Sequence, residues 1–269
     1  MQIKNVTVKY FHAGEATRRK TDKIHVDNKL LPFISICFCQ TGKYLFQIGS
    51  DAPIELLPGQ AIVIGSNVQH KITHIFDNHN EMRHRWIFLD VQLDNKYNLD
   101  QIYSLPGLLP DHISSRLNKL FTEYMSLKHD NSITELFREK IIAFSVLEQI
   151  APFMVQTSTT YDDCFKACID YINEHYLDKI QIPHLYNLMH CSKSSLFNKF
   201  KKYINTTPNH YIEDLRLNHA AVLLLSTGKS VCEVAKECGF NDQLYFSKRF
   251  KKRYGKSPLF YIRDALDID

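Results

Sequence analysis

Two stretches of the chain repeat one another. Phe200-Lys-Lys-Tyr-Ile-Asn-Thr-Thr-Pro-Asn-His-Tyr-Ile212 lies over Phe250-Lys-Lys-Arg-Tyr-Gly-Lys-Ser-Pro-Leu-Phe-Tyr-Ile262, sharing Phe-Lys-Lys, the later Pro and Tyr-Ile. Upstream, Leu185-Tyr186 pairs with Val234-Ala235 and Ser192 with Asn241 at a shift one residue shorter, so the second copy carries an extra residue in between. Each copy reads as a short helix, a tight connection and a second helix, which is the helix-turn-helix unit. The second helix of such a unit must bury one stripe and leave the opposite one polar. That polar stripe needs hydrogen-bonding side chains for base edges, and Lys or Arg near the helix ends for phosphates.

Both copies meet that requirement. In the first, Leu196, Phe200 and Tyr203 supply the buried stripe, Ser194, Ser195, Asn198 and Lys199 remain for a groove, and Lys201 and Lys202 for a phosphate backbone. In the second, Phe246 and Phe250 are the buried pair, Gln243, Tyr245, Ser247, Lys248 and Arg249 are available, and Lys251, Lys252 and Arg253 follow. Charge is concentrated in the same region: residues 192–256 hold 13 Lys/Arg and 5 Asp/Glu, a local +8 inside a chain whose total is +4. The remainder is therefore mildly acidic, and the basic excess sits where the two helices would meet DNA.

The elements that must carry these helices follow from periodicity. Residues 1–93 read as short strands, among them Phe33–Cys39, Tyr44–Ile48, Ala61–Ile64 and Trp86–Val91. Turn residues at Gly42, Gly49-Ser50-Asp51, Pro58-Gly59 and Asp77-Asn78 bound them, a pattern of a sandwich or small barrel. Apolar residues then recur at steps of three and four. Ile113, Leu117, Leu120, Phe121, Tyr124 and Leu127, followed by Ile133, Leu136, Phe137, Ile141, Phe144, Leu147 and Ile150, predict two amphipathic helices joined around Asp130-Asn131. The aperiodic, Thr- and Ser-rich segment from Pro152 to Asp163 reads as a linker. Seven short helices are expected after it: Phe165–Tyr176, Ile182–Met189, Ser194–Tyr203, Pro208–Ser226, Val231–Cys238, Gln243–Tyr254 and Pro258–Leu266. The spacer helix Pro208–Ser226 would be about 27 Å long, near the roughly 34–36 Å between successive major-groove entries on one face of DNA.

Composition limits the alternatives. With 269 residues, 44% hydrophobic, 23% charged, 9 Gly and 9 Pro, the chain is of globular type and long enough for two domains. The seven cysteines at 37, 39, 164, 168, 191, 232 and 238 include no CxxC pair and read as reduced core thiols. The start carries no apolar run ahead of a small-residue cleavage site, and the longest apolar runs fall far short of the roughly 20 residues a membrane span needs. A cytoplasmic location without membrane association is expected.

Residues 230–262 resemble the C-terminal hallmark of the AraC/XylS family of bacterial transcription regulators. Val-Ala, Cys-Gly-Phe, Tyr-Phe-Ser followed by Phe-Lys, Gly-x-Ser-Pro and the final Tyr all fall in place. The resemblance extends over about 165–264. It implies promoter binding by both units, usually with activation through RNA polymerase, and base contacts near Ser194, Phe197 and Asn198 in copy one and near Gln243, Ser247 and Lys248 in copy two. Copy one departs from the pattern with Tyr186 and His190 where the family commonly has Ala and Gly, so a different turn geometry is expected there.

Within the strand-rich half, Pro58-Gly-Gln-Ala-Ile-Val-Ile-Gly-Ser-Asn-Val-Gln-His70 is similar to the second cupin motif of the sensor domains of that family. Metal cupins add two His and a Glu in an earlier motif. No His-x-His precedes Gly59, and His25, His74, His79 and His84 are scattered without ligand spacing, so neither a metal nor a cofactor is expected. His84 and Trp86 share one parity of their strand, and the resemblance puts a His and an aromatic of that strand near the sugar of arabinose-type sensors. With Cys39 and His70 they form the candidate effector site, although Trp86 as plain core and His70 as a strand-end hydrogen bonder read equally well.

The expected fold is thus α+β and multidomain. A cupin-like ligand-sensing barrel spans 1–93, a helical hairpin for homodimerisation 94–151, a linker 152–163, and an all-α tandem helix-turn-helix domain 164–269. The expected function is that of a DNA-binding regulator responding to a small molecule, a sugar or related metabolite. A metal-dependent cupin enzyme with an appended DNA-binding module, or a constitutive regulator whose barrel only dimerises, stay open as alternatives. No Ser/His/Asp grouping, phosphate-binding Gly loop or paired carboxylates point to catalysis, so no enzyme is expected.

Overall fold

The computed structural model describes residues 3–21, 26–95, 97–130, 132–157 and 161–265. His25, Asn131 and Leu266, named above, lie outside them. The chain divides into two compact units, 1–94 with 98–157, and 95–97 with 158–269.

In the first unit the strands are β1 (Val6–Arg19), β2 (Val26–Lys29), β3 (Ile34–Cys39), β4 (Lys43–Ile48), β5 (Ile54–Leu56), β6 (Ala61–Ile64), β7 (His70–Ile75) and β8 (Glu81–Leu93). They form two antiparallel sheets, one in the order β1-β8-β3-β6 and one in the order β2-β7-β4-β5. Short pieces follow, β9 (Tyr97–Asn98), α1 (Leu99–Ile102) and β10 (Tyr103–Ser104), before the long helices α2 (Asp111–Met125) and α3 (Ile133–Ile150). The linker expectation needs correction at its start. Ala151–Phe153 makes a 3₁₀ turn and β11 (Val155–Gln156) pairs with β10, so this stretch belongs to the first unit.

Strand pairing assigns every side chain to a face, because neighbours across a ladder point the same way. Arg18, Ala16 and Gly14 of β1 lie opposite Met82, His84 and Trp86 of β8, which in turn face Cys39 and Cys37 of β3. These residues look toward the second sheet. Cys39, Ile62, Ile64 and Met82 pack there against Tyr44, Phe46 and Leu56 in one core cluster. Alternate residues look outward and meet the helices. The Phe38 ring lies 6.3 Å from Phe121, Phe11 packs edge-on to Tyr124 at 5.0 Å, and the Arg85 guanidinium sits 4.6 Å above the Phe121 ring. The buried Ser114 hydroxyl accepts the Ala61 amide at 3.1 Å, tying α2 to the sheet edge.

The hairpin stripe is divided. On α3, Ile142, Ala143, Val146, Leu147 and Ile150 are buried, whereas Ile133, Leu136, Phe137, Ile141 and Phe144 are exposed, the first three of these four-spaced residues (133, 137, 141) by more than 60%. The periodic positions thus split into a face used at home and a face left bare.

The second unit comprises α4 (Asp163–His175), α5 (Ile182–Leu188), α6 (Lys193–Ile204), α7 (Pro208–Ser226), α8 (Val231–Glu237), α9 (Gln243–Tyr254) and α10 (Pro258–Ala265). Side-chain caps start most of them: Asp162 accepts from Phe165, Ser192 from Ser195, Thr207 from His210 and Ser230 from Glu233. These are the residue types that satisfy the orphan amides of a first turn. No helix among the described residues is long and apolar enough to cross a membrane.

Gly14 faces the indole of Trp86 so closely that a β-carbon there would come within 2.5 Å of Trp86 Cζ2. Gly14→Ala must therefore push the ring out of place, an overpacking cost of about 1–3 kcal/mol. Because Trp86 is the sole tryptophan, its emission in urea titrations reports on this unit. The expected outcome is a lowered midpoint with an altered native spectrum.

Candidate nucleic-acid interface

The two helix-turn-helix copies match bond for bond at their turns. In copy one the amides of Met189, His190 and Cys191 donate to the carbonyls of Leu185, Asn187 and Tyr186. In copy two Cys238, Gly239 and Phe240 donate to Val234, Lys236 and Ala235. His190 takes the left-handed conformation, φ 48°, that Gly239 takes at φ 75°. The different turn expected from His190 is therefore not found, and the side chain tolerates a conformation that glycine adopts at no steric cost. The extra residue of copy two falls between this turn and the cap. Asp242 caps α9, receiving the Leu244 amide at 2.7 Å, so it is Asp242, one residue past Asn241, that matches Ser192. Both second helices end on a left-handed residue, Asn205 and Gly255.

These caps orient α6 and α9 alike. Leu196 and Phe200, and likewise Phe246 and Phe250, are fully buried. On the opposite side, Lys193, Ser194, Asn198 and Lys201 of α6 are exposed with Phe197 half-buried. Gln243, Leu244, Lys248 and Lys251 of α9 are exposed with Ser247 half-buried. At 3.6 residues per turn, positions at offsets of one, four, five and eight from the first fall within about 140° of helix rotation, so each set is one continuous surface. Lys202 and Lys252 are exposed beside it. Leu244 is 73% exposed and was missed from the sequence, because a leucine in a periodic helix reads as core.

Three basic residues that the sequence offered to DNA are instead engaged within the unit. Lys199 pairs with Asp162 at 2.7 Å, and the Tyr203 hydroxyl donates to the same carboxylate at 3.1 Å. At the equivalent position of copy two, Arg249 makes a two-pronged pair with Glu213 of α7, which also accepts the Tyr245 hydroxyl at 3.1 Å. Arg253 reaches Asp214 at 2.8 Å and Asn218 at 3.0 Å. Ser195 is half-buried and donates its amide to Ser192, while Lys202 lies over the Tyr203 ring at 4.9 Å. Burial by itself would raise the Glu213 carboxyl; the hydrogen bonds and charge of Arg249 more than offset that and hold it below the ordinary value.

The effector candidates of the first unit come together only in part. His84 and Trp86 are neighbours, with ring centroids 5.4 Å apart, and burial pushes the His84 imidazole down to about 3, keeping it neutral. His70 is buried, its Nδ1 2.9 Å from the Val68 carbonyl and its ring 6.3 Å from Phe46, at the far end of β7 from His74. Cys39 is fully buried in the apolar cluster, its thiol pushed up to about 12 by burial and its Sγ near the carbonyls of Thr41 and Gly42. Among the described residues no group of three or more His, Cys, Asp or Glu side chains is disposed to hold a metal ion.

Comparison with known proteins adds identity to this geometry. Residues 185–264 match the family model of a helix-turn-helix domain. A probable transcriptional regulator, LumQ of Photobacterium leiognathi, is 25% identical over 224 residues, covering 79% of this chain and 84% of that protein. The transcriptional activator RhaS of Mannheimia succiniciproducens is 28% identical over 215 residues, covering 77% and 78%. Among solved structures, unsaturated fatty acid-bound ToxT of Vibrio cholerae superimposes with a TM-score of 0.55 at 12% identity, covering 98% of this chain and 97% of that one, a likeness of fold.

Glu213 and Arg249 are partly exposed, so their pair should contribute on the order of 1 kcal/mol. Glu213→Ala and Arg249→Ala should each speed amide exchange in α9 by about fivefold, and the double variant no further than either. The folded carboxyl titrates below its unfolded value of about 4.3, so this stabilisation is present above that pH and is lost as pH falls through the folded value. In Arg249→Ala the acid dependence of α9 exchange should be correspondingly weaker.

Proposed function

We propose that this chain, an AraC-type transcription regulator, binds promoter DNA as a homodimer by laying α6 and α9 into successive major grooves, and that a small molecule held in its N-terminal barrel modulates that binding. The observation that carries the reading is the pair of matching bare helix faces on identically built turns, inside the most basic stretch of the chain.

The chemistry of each face assigns roles. Lys248 suits the O6 and N7 acceptors of guanine, Asn198 the N6 and N7 edge of adenine, and Leu244 the methyl group of thymine. Ser194, Gln243 and Ser247 can hydrogen-bond neighbouring bases, with Phe197 packing beside Asn198. Lys201, Lys202, Lys251 and Lys252 neutralise phosphates. Lys199, Arg249 and Tyr245 act one step back, fixing the pose of their helices through Asp162 and Glu213. The relative RhaS is named an activator; activation here would add a contact with RNA polymerase, and the work would be done on the bacterial nucleoid in the cytoplasm. That ToxT, of like fold, is seen with a bound fatty acid supports a ligand-responsive barrel.

The second copy of the chain is best placed on the bare stripe of α3. Ile133, Phe137, Ile141 and Phe144 recur at steps of four, four and three, a seam suited to helix-on-helix packing.

Two experiments test these points. With operators selected from a promoter-fragment pool, Lys248→Ala should relax the base preference at one position. Lys252→Ala should weaken all sequences alike and reduce the salt slope by about 1. Absence of salt-sensitive binding by the wild-type chain would sink the reading. For the dimer, Phe137→Glu combined with Ile141→Glu should give a monomer in sedimentation velocity with unchanged Trp86 emission, and a persisting dimer would remove α3 from the interface.

A further inference from the structure

Resting on the reading of α6 and α9 as the base-reading helices, the way each is held from behind separates the two copies. Behind α9 the work is divided among three residues of α7. Glu213 receives the Arg249 guanidinium and the Tyr245 hydroxyl, Asp214 takes Arg253 at 2.8 Å, and Asn218 accepts Arg253 at 3.0 Å and the Tyr254 hydroxyl at 2.9 Å. Arg216, nearly one turn on from Glu213, fixes α7 in its turn. Its guanidinium donates to the carbonyls of Tyr176 at 2.6 Å, Asp178 at 2.7 Å and Gly239 at 3.2 Å. The hold on α9 therefore lies inside one continuous helix, itself clamped to the α4–α5 connection and to the turn of copy two.

Behind α6 the same duties fall on a single carboxylate. Lys199 and Tyr203 stand fifty residues before Arg249 and Arg253, and both bond Asp162, the ammonium at 2.7 Å and the hydroxyl at 3.1 Å. The same side chain accepts the Phe165 amide at 2.9 Å as the N-cap of α4. Tyr161, one residue earlier, packs edge-on to Phe165 at 5.3 Å and to Tyr203 at 5.6 Å. This cluster sits where the chain enters the second unit. Thr157 ends the first unit and is fastened within it, its amide and its hydroxyl both donating to the Ile102 carbonyl, at 2.8 Å and 2.9 Å. Three residues separate Thr157 from Tyr161, a reach of at most about 14 Å when fully extended, so movement of the first anchor has little chain in which to dissipate. Displacing Asp162 would release Lys199 and Tyr203 together. Leu196 and Phe200 would keep α6 packed, while its pose lost the polar restraint.

We propose that Asp162 is the positioning residue through which the linker sets the pose of α6, so that base reading by copy one responds to the first unit while reading by copy two does not. The test is base discrimination by the full-length protein on selected operators, with Asn198→Ala and Lys248→Ala marking the positions that copies one and two read. Asp162→Asn keeps a capping side chain and removes the charge. It and Lys199→Met should each lower discrimination at copy one's positions about fivefold, the scale of a partly exposed ion pair. The double variant should go no further than either, and copy two's positions should be unchanged. Lys199→Arg, which reproduces the basic residue of the second copy, should retain discrimination. Gly-Ser-Gly inserted between Thr157 and Ser158 should lower copy one's discrimination at least threefold in the wild-type chain and no further in Lys199→Met. Full discrimination in Asp162→Asn, a loss shared equally by both copies, or an insertion that acts as strongly without Lys199 as with it would overturn the proposal. Salt-sensitive binding by the wild-type chain tests the DNA reading separately, since its absence fails the regulator whereas these outcomes fail only the role of Asp162.

Discussion

The C-terminal unit depends on a phenylalanine buried at the same place on each second helix and on a tyrosine that closes over it from the next helix. Phe200 meets Tyr211 at 5.9 Å and Phe250 meets Tyr261 at 5.2 Å. The repeated sequence block is the recipe for this contact. The Phe anchors the helix, the following Lys pair stays in solvent, Asn205 or Gly255 reverses the chain, and Pro208 or Pro258 opens the next helix so that the Tyr returns to the Phe. Burying Leu196 and Phe200 on one side of α6, and Phe246, Phe250 and Tyr254 on one side of α9, fixes the rotation of each twelve-residue helix, and with rotation fixed, the direction of its outer face is fixed as well. The direction of each outer face follows from that packing.

Much of this was legible because it is local. Helix starts follow from capping residues, helix rotation from steps of three and four, and the charge concentration from counting. What was not legible depends on partners far along the chain. Nothing near Lys199 announces Asp162, which lies 37 residues away, and nothing near Arg249 announces Glu213, 36 residues away. Both basic residues therefore read as available when they are used internally. Leu244 failed in the opposite sense, since hydrophobicity within a periodic helix argues for burial and its exposure is set by the orientation of the whole domain. In the barrel, the 14 residues of β1 escaped notice because Gly14, Glu15, Arg18 and Arg19 dilute the apolar alternation. The polar members of its inner face, like His70 and His74 on β7, mask the usual pattern of a buried strand.

That masking is informative about the barrel. A purely structural sandwich would line its inner faces with aliphatic residues and avoid the desolvation of charged groups. Here the inner faces carry Leu56, Ile62 and Met82, but among them also Arg18, Lys29, Asp27, His74 and His84. Gly14 points the same way: by omitting a side chain it lets the Trp86 ring approach the β1 backbone closely. The sheet gives up packing and β-propensity at that position in order to place one aromatic surface beside the polar cluster.

The two outer helix faces show how a duplicated scaffold diverges. Turn hydrogen bonds, left-handed positions, buried phenylalanines and inward-held bases are retained in both copies, since each is required to hold the helix in place. The outward residues differ: Lys193, Ser194, Phe197 and Asn198 in one copy stand where Gln243, Leu244, Ser247 and Lys248 stand in the other. Phosphates look alike along any duplex, so the flanking Lys-Lys pairs can remain the same in both copies. Base edges differ, so the residues facing them must differ if the two units are to read different sequences. The pattern of identity and difference between the repeats thus separates the residues that hold the helices from the residues left to vary on their outer faces.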